Sequence, residues 1–469
     1  MSLAIVIMAA GKGTRLKSKR PKVLHVIGGR PLLGHVIAAA SQIVRPEDIF
    51  VIVGHQAKAV EAAVAETGVR FVLQQEQLGT GHAIQCAEPS FAGYSDVLVL
   101  SGDVPLIQPE TITALRDFHT QQSAAMTILT ARPSDPYGYG RIIRAGQGNT
   151  GTQSSEVEAI VEQKDLAPGQ ESIGEINSGI YAFRVAPLVR HLSQLSAANN
   201  QKELYLTEMA SILRTAGERV VALEAKDSSE ILGANTIAEL VSLDSALRLR
   251  TAHALMAQGV TIFHPESCVI DATVEVASDT IIEPGVQLLG RTRIGSGCHI
   301  RSGSVIENCT LGDDVLIRQY CVLADSSVGN EAKIGPFAHL RPGSEIGPEA
   351  HIGNFVETKK AKLGRGAKAS HLTYLGDAQI GAGTNIGAGV ITCNYDGVNK
   401  HTTVIGEGVF VGSDSTLVAP ITLGDGSYVG AGSCITKEVP PDALAVGRAR
   451  QVIKEGWAAS KRQRTAREC

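Results

Sequence analysis

From about Ile294 to Ile435 an aliphatic residue recurs every six positions, usually followed by glycine. In register the series runs Val328-Gly329, Ile334-Gly335, Leu340, Ile346-Gly347 and Ile352-Gly353. After an offset it resumes at Ile380-Gly381 and Ile386-Gly387, then Ile405-Gly406, Val411-Gly412, Leu417, Leu423-Gly424, Val429-Gly430 and Ile435. A six-residue period predicts a parallel β-helix, with one short strand and one turn per hexad. The aliphatic side chain points into the coil, and the glycine permits the tight corner. The largest interruption, Thr392 to Val404 ("TCNYDGVNKHTTV"), must leave the coil as a loop, and repeat proteins often bind through such loops.

The first half has a different pattern. Apolar runs at 3–10, 48–54, 97–101 and 124–131 predict buried parallel strands, with amphipathic stretches at 55–66 and 109–121 between them. This alternation predicts a doubly wound α/β sheet with helices on both faces, which runs at 178–184 and 219–225 extend. Residues 236–258 carry helical periodicity without Gly or Pro, and Gly259 stops it. The expected organisation is an α/β domain over 1–237, a linker helix over 238–258 and a repeat domain over 259–469. The basic tail from Lys454 reads as a short helix or a partly ordered end.

A chain of 469 residues is too long for one core, which agrees with this division. Aromatics make up only 4% while glycine reaches 50 residues, a balance suited to a solenoid filled by small aliphatics. The formal net charge of −4 argues against a general nucleic-acid or membrane-surface binder. The eight cysteines form no C-x-x-C pair, which points to buried or free thiols in a reducing compartment. The apolar start "MSLAIVIMAA" lacks a basic flank and a cleavage pattern and is too short to span a bilayer, so a buried first strand of a cytoplasmic protein is expected.

Two segments of the first half carry candidate chemistry. "MAAGKGTRL" (Met8 to Leu16) follows the first strand, and its glycines let backbone N–H groups approach a phosphate. It is neither a dinucleotide fingerprint nor a Walker A loop, because the required spacings are absent. A plain β–α turn would also explain the glycines, but Arg15 and Lys22 add two cations suited to a triphosphate. In "VLVLSGDVPL", Asp103 falls just past the carboxyl end of a buried strand, where open α/β sheets bind ligands. One carboxylate beside phosphates suggests Mg²⁺, which takes few protein ligands; a helix-capping aspartate is the plainer alternative.

The ordered set "MAAGKGTRL", "RPKVLH", "EQLGTGHA", "GDVPL", "YGYGRI", "IVEQKD" and "EINSGI" resembles the sugar-nucleotide pyrophosphorylases. With the hexad repeats, nearly the whole chain resembles the bacterial bifunctional N-acetylglucosamine-1-phosphate uridylyltransferase/glucosamine-1-phosphate N-acetyltransferase family. The resemblance implies that Met8, Ala9, Ala10 and Gly11 contact the uridine nucleotide, that Arg15 and Lys22 bind its phosphates, and that Gln74, Gly79 and Thr80 read uracil. It implies Mg²⁺ on Asp103 and Asn235, and N-acetylglucosamine on Gly140, Glu162 and Asn177. Met8 stands where the family commonly has leucine, and Ser101 where tyrosine is frequent.

The acetylation half needs a base, because an amine must lose a proton to attack a thioester; histidine, with an ordinary pKa near 6.5, is the default candidate. His371 lies in "HLTYLGD", which resembles the family's catalytic segment. The resemblance places Arg341 and Lys359 on the sugar phosphate, and Tyr374 and Asn385 in the sugar pocket. Glu357 is a candidate to orient the amine or the base. Asn394 and Tyr395 would face the thioester, Ser413 could donate to the oxyanion, and Ala388, Ala431 and Arg448 would line the acetyl-coenzyme A groove. A glycine precedes Arg448 where serine is common. The implied fold of the repeats is a left-handed β-helix, and the implied assembly is a homotrimer with acetyl sites between subunits. The implied substrates are glucosamine-1-phosphate, acetyl-coenzyme A, UTP and N-acetylglucosamine-1-phosphate, leading to cell-envelope precursors. The alternatives are a one-site nucleotidyltransferase whose β-helix only assembles or regulates, a metal-dependent hexapeptide hydratase, and a non-catalytic scaffold. The hydratase expects an H-x-x-x-x-H pair that His339, His351 and His371 do not form.

Overall fold

The computed structural model describes residues 2–145 and 156–468. These form two compact units, divided between Leu247 and Arg248. Among the described residues no helix is long and apolar enough to cross a membrane.

The first unit is built on a nine-stranded sheet. Its main path runs Val220–Glu224, Met126–Ala131, Ile176–Arg184, Asp96–Ser101, Leu3–Met8, Ile49–Val53, Arg70–Leu73. Successive residues of the first strand face opposite sides of the sheet. Ala4 and Val6 pack with Phe50, Val97, Ile84 and Leu188, while Ile5 and Ile7 pack with Leu33, Val51, Leu98 and Leu115. Both faces are covered, so the strands read as continuous apolar runs. The run at 178–184 joins the sheet as expected, but within it and not among parallel neighbours. Strand Ile176–Arg184 lies between Asp96–Ser101 and Met126–Ala131, antiparallel to both. All seven strands are rich in apolar residues, and nothing in such a composition reports direction. The carboxyl ends of Leu3–Met8 and Asp96–Ser101 lie side by side, with Met8 paired to Ser101, and this edge carries the first site.

The second unit is a parallel β-helix of the left-handed hexapeptide-repeat kind. Its three faces are sheets of 11, 10 and 9 short strands. One face stacks Ile282, Ile300, Ile317, Ile334, Ile352, Ala369, Ile386, Val411 and Val429 in register, all pointing inward and buried. The coils begin at Thr261–Ile262, well before the Ile294 at which the hexads become legible. In the early coils the inward residue is followed by something other than glycine, as in Ile262-Phe263, Val276-Ala277 and Ile282-Glu283. The interruption is also shorter than expected: Thr392 and Cys393 belong to strand Ile391–Cys393 and Thr403 to strand Thr403–Ile405, leaving 394–402 as the loop.

Apart from Gly335, whose φ is +92°, the hexad glycines named here have a different role from the expected one. At Gly329, Gly347, Gly364 and Gly387 the backbone is not left-handed; the left-handed residues are two positions on, at Glu331, Glu349, Gly366 and Gly389. What excludes a side chain is the next coil. A Cβ on Gly347 would lie 2.6 Å from the Leu363 carbonyl oxygen, and one on Gly329 would lie 2.6 Å from the Pro348 nitrogen. Cys298, Cys309 and Cys321 fill small interior positions. Burial raises all three thiols, the latter two to about 11, so they are packing residues and not nucleophiles. The described cysteines are free; Cys469 lies outside the described residues.

Helix Ile237–Ala257 contains the division between the units. Leu243 and Leu247 pack with Ile27, Leu32 and Leu106 in the first unit, and Ala252 and Leu255 join the interior of the β-helix. The tail from Trp457 to Glu468 is helical.

Replacing Gly347 with alanine forces two rigid backbones apart and should cost about 1–3 kcal/mol, read as a lower unfolding midpoint. Gly93→Ala, where a Cβ meets nothing within 4 Å, should stay within about 0.5 kcal/mol.

Candidate active sites

The glycine-rich segment after strand Leu3–Met8 lines a cavity of about 500 Å³. Met8, Ala9, Ala10, Gly11, Lys22, Gln74, Gly79, Thr80 and Asp103 all contribute to its wall. Gln74 is buried and donates to the Gly79 carbonyl at 3.1 Å. Gly79 itself is left-handed, and the backbone of Leu204 packs where its side chain would be. The Thr80 hydroxyl accepts from the Leu206 N–H at 3.0 Å, so this stretch is tied to residues 204–206.

At one end of the cavity the Lys22 ammonium pairs with the Asp103 carboxylate and donates to Asn235 Oδ1 at 2.9 Å; Arg15 donates to the same oxygen at 2.7 Å. Asn235 is held there by a capping box on the next helix. Glu239 accepts from the N–H groups of Asn235 and Thr236, while the Thr236 hydroxyl accepts from the Glu239 N–H. Two hard oxygens, one carboxylate and one amide carbonyl, thus converge on a single cation. That donor set suits Mg²⁺, which takes few protein ligands beside phosphate and water. Tyr139 also belongs to this neighbourhood: burial raises its phenol, and the charges of Glu239 and Asp103 add to the effect.

Gly140, Glu162 and Asn177 do not line that cavity but cluster with one another. The Asn177 N–H donates to the Gly140 carbonyl at 2.9 Å, and its side-chain amide donates to Tyr181 Oη at 2.8 Å. Glu162 accepts from the Thr207 hydroxyl at 3.2 Å, and burial raises its carboxyl above the ordinary value. The cluster connects to the cavity through Gly179, whose N–H donates to Asn177 Oδ1 and whose carbonyl accepts from Ser101.

On the β-helix, Arg341, Glu357, Lys359 and Tyr374 share one face. The register there is His339, Glu357, Tyr374, Ile391, and Lys359 pairs with Gly376. Arg341 and Glu357 form a 2.8 Å ion pair, so the Glu357 carboxylate already has a cationic partner. Asn385 lies on the adjoining face, between Lys368 and Phe410. His371 ends strand Lys368–His371 and is exposed.

The corner after His371 forms a column through successive coils. Gly389 N–H donates to Leu372 O, Asp414 N–H to Ala388 O, and Gly432 N–H to Ser413 O, while Arg448 Nη1 reaches Ala431 O at 2.5 Å. His371, Ala388, Ser413, Ala431 and Arg448 therefore mark one edge. Asn394 begins the 394–402 loop, is buried and donates to Asp377, while Tyr395 is exposed.

Two family descriptions match this chain. A MobA-like NTP transferase domain covers residues 5–208, and bacterial transferase hexapeptide repeats cover 273–308, 325–360 and 402–437. The protein named bifunctional protein GlmU from Koribacter versatilis is 61% identical over 98% of this chain and 97% of its own length. Proteins of the same name from Trichlorobacter lovleyi and Pelobacter propionicus are 47% and 46% identical, over 98% and 99% of this chain and 98% and 100% of their own lengths. The chain belongs to the bifunctional GlmU family. It is accordingly an enzyme with a nucleotidyltransferase half and a hexapeptide-repeat acetyltransferase half.

The geometry of this GlmU-family chain also contains residues that motif reading missed. Lys400 lies against Lys359 and holds the Lys359 amine below its ordinary value, with Asp377 opposing the effect. A lysine in the one long insertion was the available signal. Lys12, Gln77 and Glu203 also line the cavity beside Met8. Lys12 stands inside the quoted "GKG", whereas Glu203 reaches the site only through the packing of Leu204 on Gly79.

The raised carboxyl of Glu162 has a consequence for stability. The folded state keeps this proton longer than the unfolded chain, so the group's contribution is complete below about pH 4.5 and is lost as pH rises through the folded value. Glu162→Gln removes that loss. Relative to the unsubstituted protein, its urea midpoint should rise as pH goes from 4.5 toward neutrality.

Proposed function

We propose that the β-helix acetylates glucosamine-1-phosphate with acetyl-coenzyme A, and that the α/β unit transfers UMP from UTP to the resulting N-acetylglucosamine-1-phosphate, releasing pyrophosphate. The observation that carries this reading is the presence of two separate cation clusters in one chain, Arg15 with Lys22 and Arg341 with Lys359 and Lys400. A sugar phosphate common to both reactions gives each cluster the same group to hold.

In the uridylyl half the nucleophile is a sugar phosphate oxygen, already ionised at neutral pH, so no protein base is required. The residues have to align it with the α-phosphorus of UTP and stabilise the departing pyrophosphate. Arg15 and Lys22 take the phosphate charge, and the N–H groups from Ala9 to Gly11 approach the nucleotide. Gln74, Gly79 and Thr80 meet the uracil, and Gly140, Glu162 and Asn177 hold the acetylated sugar. Asp103 and Asn235 would hold Mg²⁺, which supplies Lewis-acid neutralisation of the phosphates when bound.

In the acetyl half His371 takes the proton from the glucosamine amine as nitrogen attacks the thioester carbonyl. Arg341, Lys359 and Lys400 hold the phosphate, and Tyr374 and Asn385 the sugar. The column Ala388, Ser413, Ala431 and Arg448 lies along the coenzyme, with the Ser413 hydroxyl donating to the oxyanion. Collapse of that intermediate expels coenzyme A. We place the enzyme in the cytoplasm as a homotrimer, whose neighbouring subunits complete each acetyl site.

The test is an acetyl-coenzyme A assay with glucosamine-1-phosphate, with and without UTP. Coenzyme A release should need no UTP, and UDP-sugar should form only with it. His371→Ala should lower acetyl transfer by about 100-fold or more and spare UMP transfer. Asp103→Ala should do the reverse, by a similar factor. Loss of both activities from either single change in folded protein would sink the two-site reading. A folded, UMP-transferring protein that releases no coenzyme A would favour a merely structural β-helix.

A further inference from the structure

Loop 394–402 is a small hairpin with its own internal bracing. Tyr395 and Lys400 form an antiparallel bridge, and the His401 N–H donates to the Asn394 carbonyl at 2.8 Å. At the tip, Asp396 Oδ1 accepts from the N–H groups of Val398 and Asn399, at 2.8 and 2.6 Å. Its other oxygen meets His401 Nε2 at 2.8 Å. These contacts hold the Asp396 carboxyl down at about 2, so it only accepts, and Nε2 of His401 must carry the hydrogen. The base of the hairpin is fixed to the coil beneath through Asn394 and Asp377, whose N–H donates to the Lys359 carbonyl at 2.9 Å.

This bracing bears on a repulsive contact. Lys400 lies against Lys359, and two ammonium groups without an anion between them repel. Lys400 is the bridge partner of Tyr395 and the chain neighbour of His401, so the same hairpin that His401 ties to Asp396 carries the side chain that lies against Lys359. We propose that His401 is a positioning residue of the acetyl site: its hydrogen bond to Asp396 holds the hairpin closed and keeps Lys400 beside Lys359, so that both can grip the phosphate of the amino sugar. The proposal rests on the sugar-phosphate reading given above.

The experiment is steady-state acetyl transfer by the full-length protein carrying His401→Phe, His401→Gln, Lys400→Met, or His401→Phe with Lys400→Met. UMP transfer in the same samples reports folding and should not change. The brace is a partly exposed pair, so His401→Phe should raise the KM for glucosamine-1-phosphate roughly three- to five-fold and leave kcat within about two-fold. His401→Gln keeps a donor of similar reach and should stay near the unsubstituted value. On the Lys400→Met background, His401→Phe should add nothing, because the lysine it positions is gone. An unchanged KM in His401→Phe, an equal rise on both backgrounds, or a fall in kcat instead of a rise in KM would overturn the proposal. If the unsubstituted protein transfers no acetyl group, the sugar-phosphate reading itself fails and takes this proposal with it.

Discussion

Backbone contact between successive coils is the constraint on which the acetylating half depends. Gly347 against Leu363 and Gly329 against Pro348 leave no room for even a methyl group, so each coil must sit directly on the last. Once that spacing is set, a corner residue has one neighbour above and one below. Ala388, Ser413 and Ala431 come from segments far apart in sequence, yet share one edge because their coils are stacked in register. A rigid column of this kind can hold side chains in fixed register without a large core. The one long departure, residues 394–402, leaves a wall that cannot bend to absorb it.

The nucleotidyl half achieves order by other means. Its sheet is covered on both faces, and the useful groups gather where the carboxyl ends of two strands meet. The cluster there is only partly neutralised: Lys22 pairs with Asp103, while Lys22 and Arg15 both donate to the uncharged amide oxygen of Asn235. The last of these residues comes from more than two hundred positions away, and the Thr236–Glu239 cap fixes it at the start of a helix.

Much of this was legible in the sequence because periodicity reports burial. The strands of the first half and the inward residues from about Ile294 onward follow directly from it. Strand direction was not legible: Ile176–Arg184 joins the sheet as expected but runs antiparallel to both neighbours. The early coils were invisible for a physical reason: Phe263, Ala277 and Glu283 stand where later coils need glycine, and the eye follows the glycine. The glycine's purpose was also misread, since its neighbour across the coil matters more than its own torsion angles. Site residues named by motif fall into coherent clusters. Glu203, supplied by packing, leaves no local signature, and Lys400 leaves only its place in the long insertion.

The helix from Ile237 to Ala257 limits how the enzyme can be dissected. Its early leucines belong to one interior and its later residues to the other. Truncation ahead of the helix strips Leu243 and Leu247 from the nucleotidyl half, and truncation behind it uncaps the first coils of the solenoid. A cut at the division itself leaves two segments of about ten residues, each too short to persist as a helix in water. Independent expression of either half therefore requires carrying the whole helix, so the two fragments would overlap in sequence.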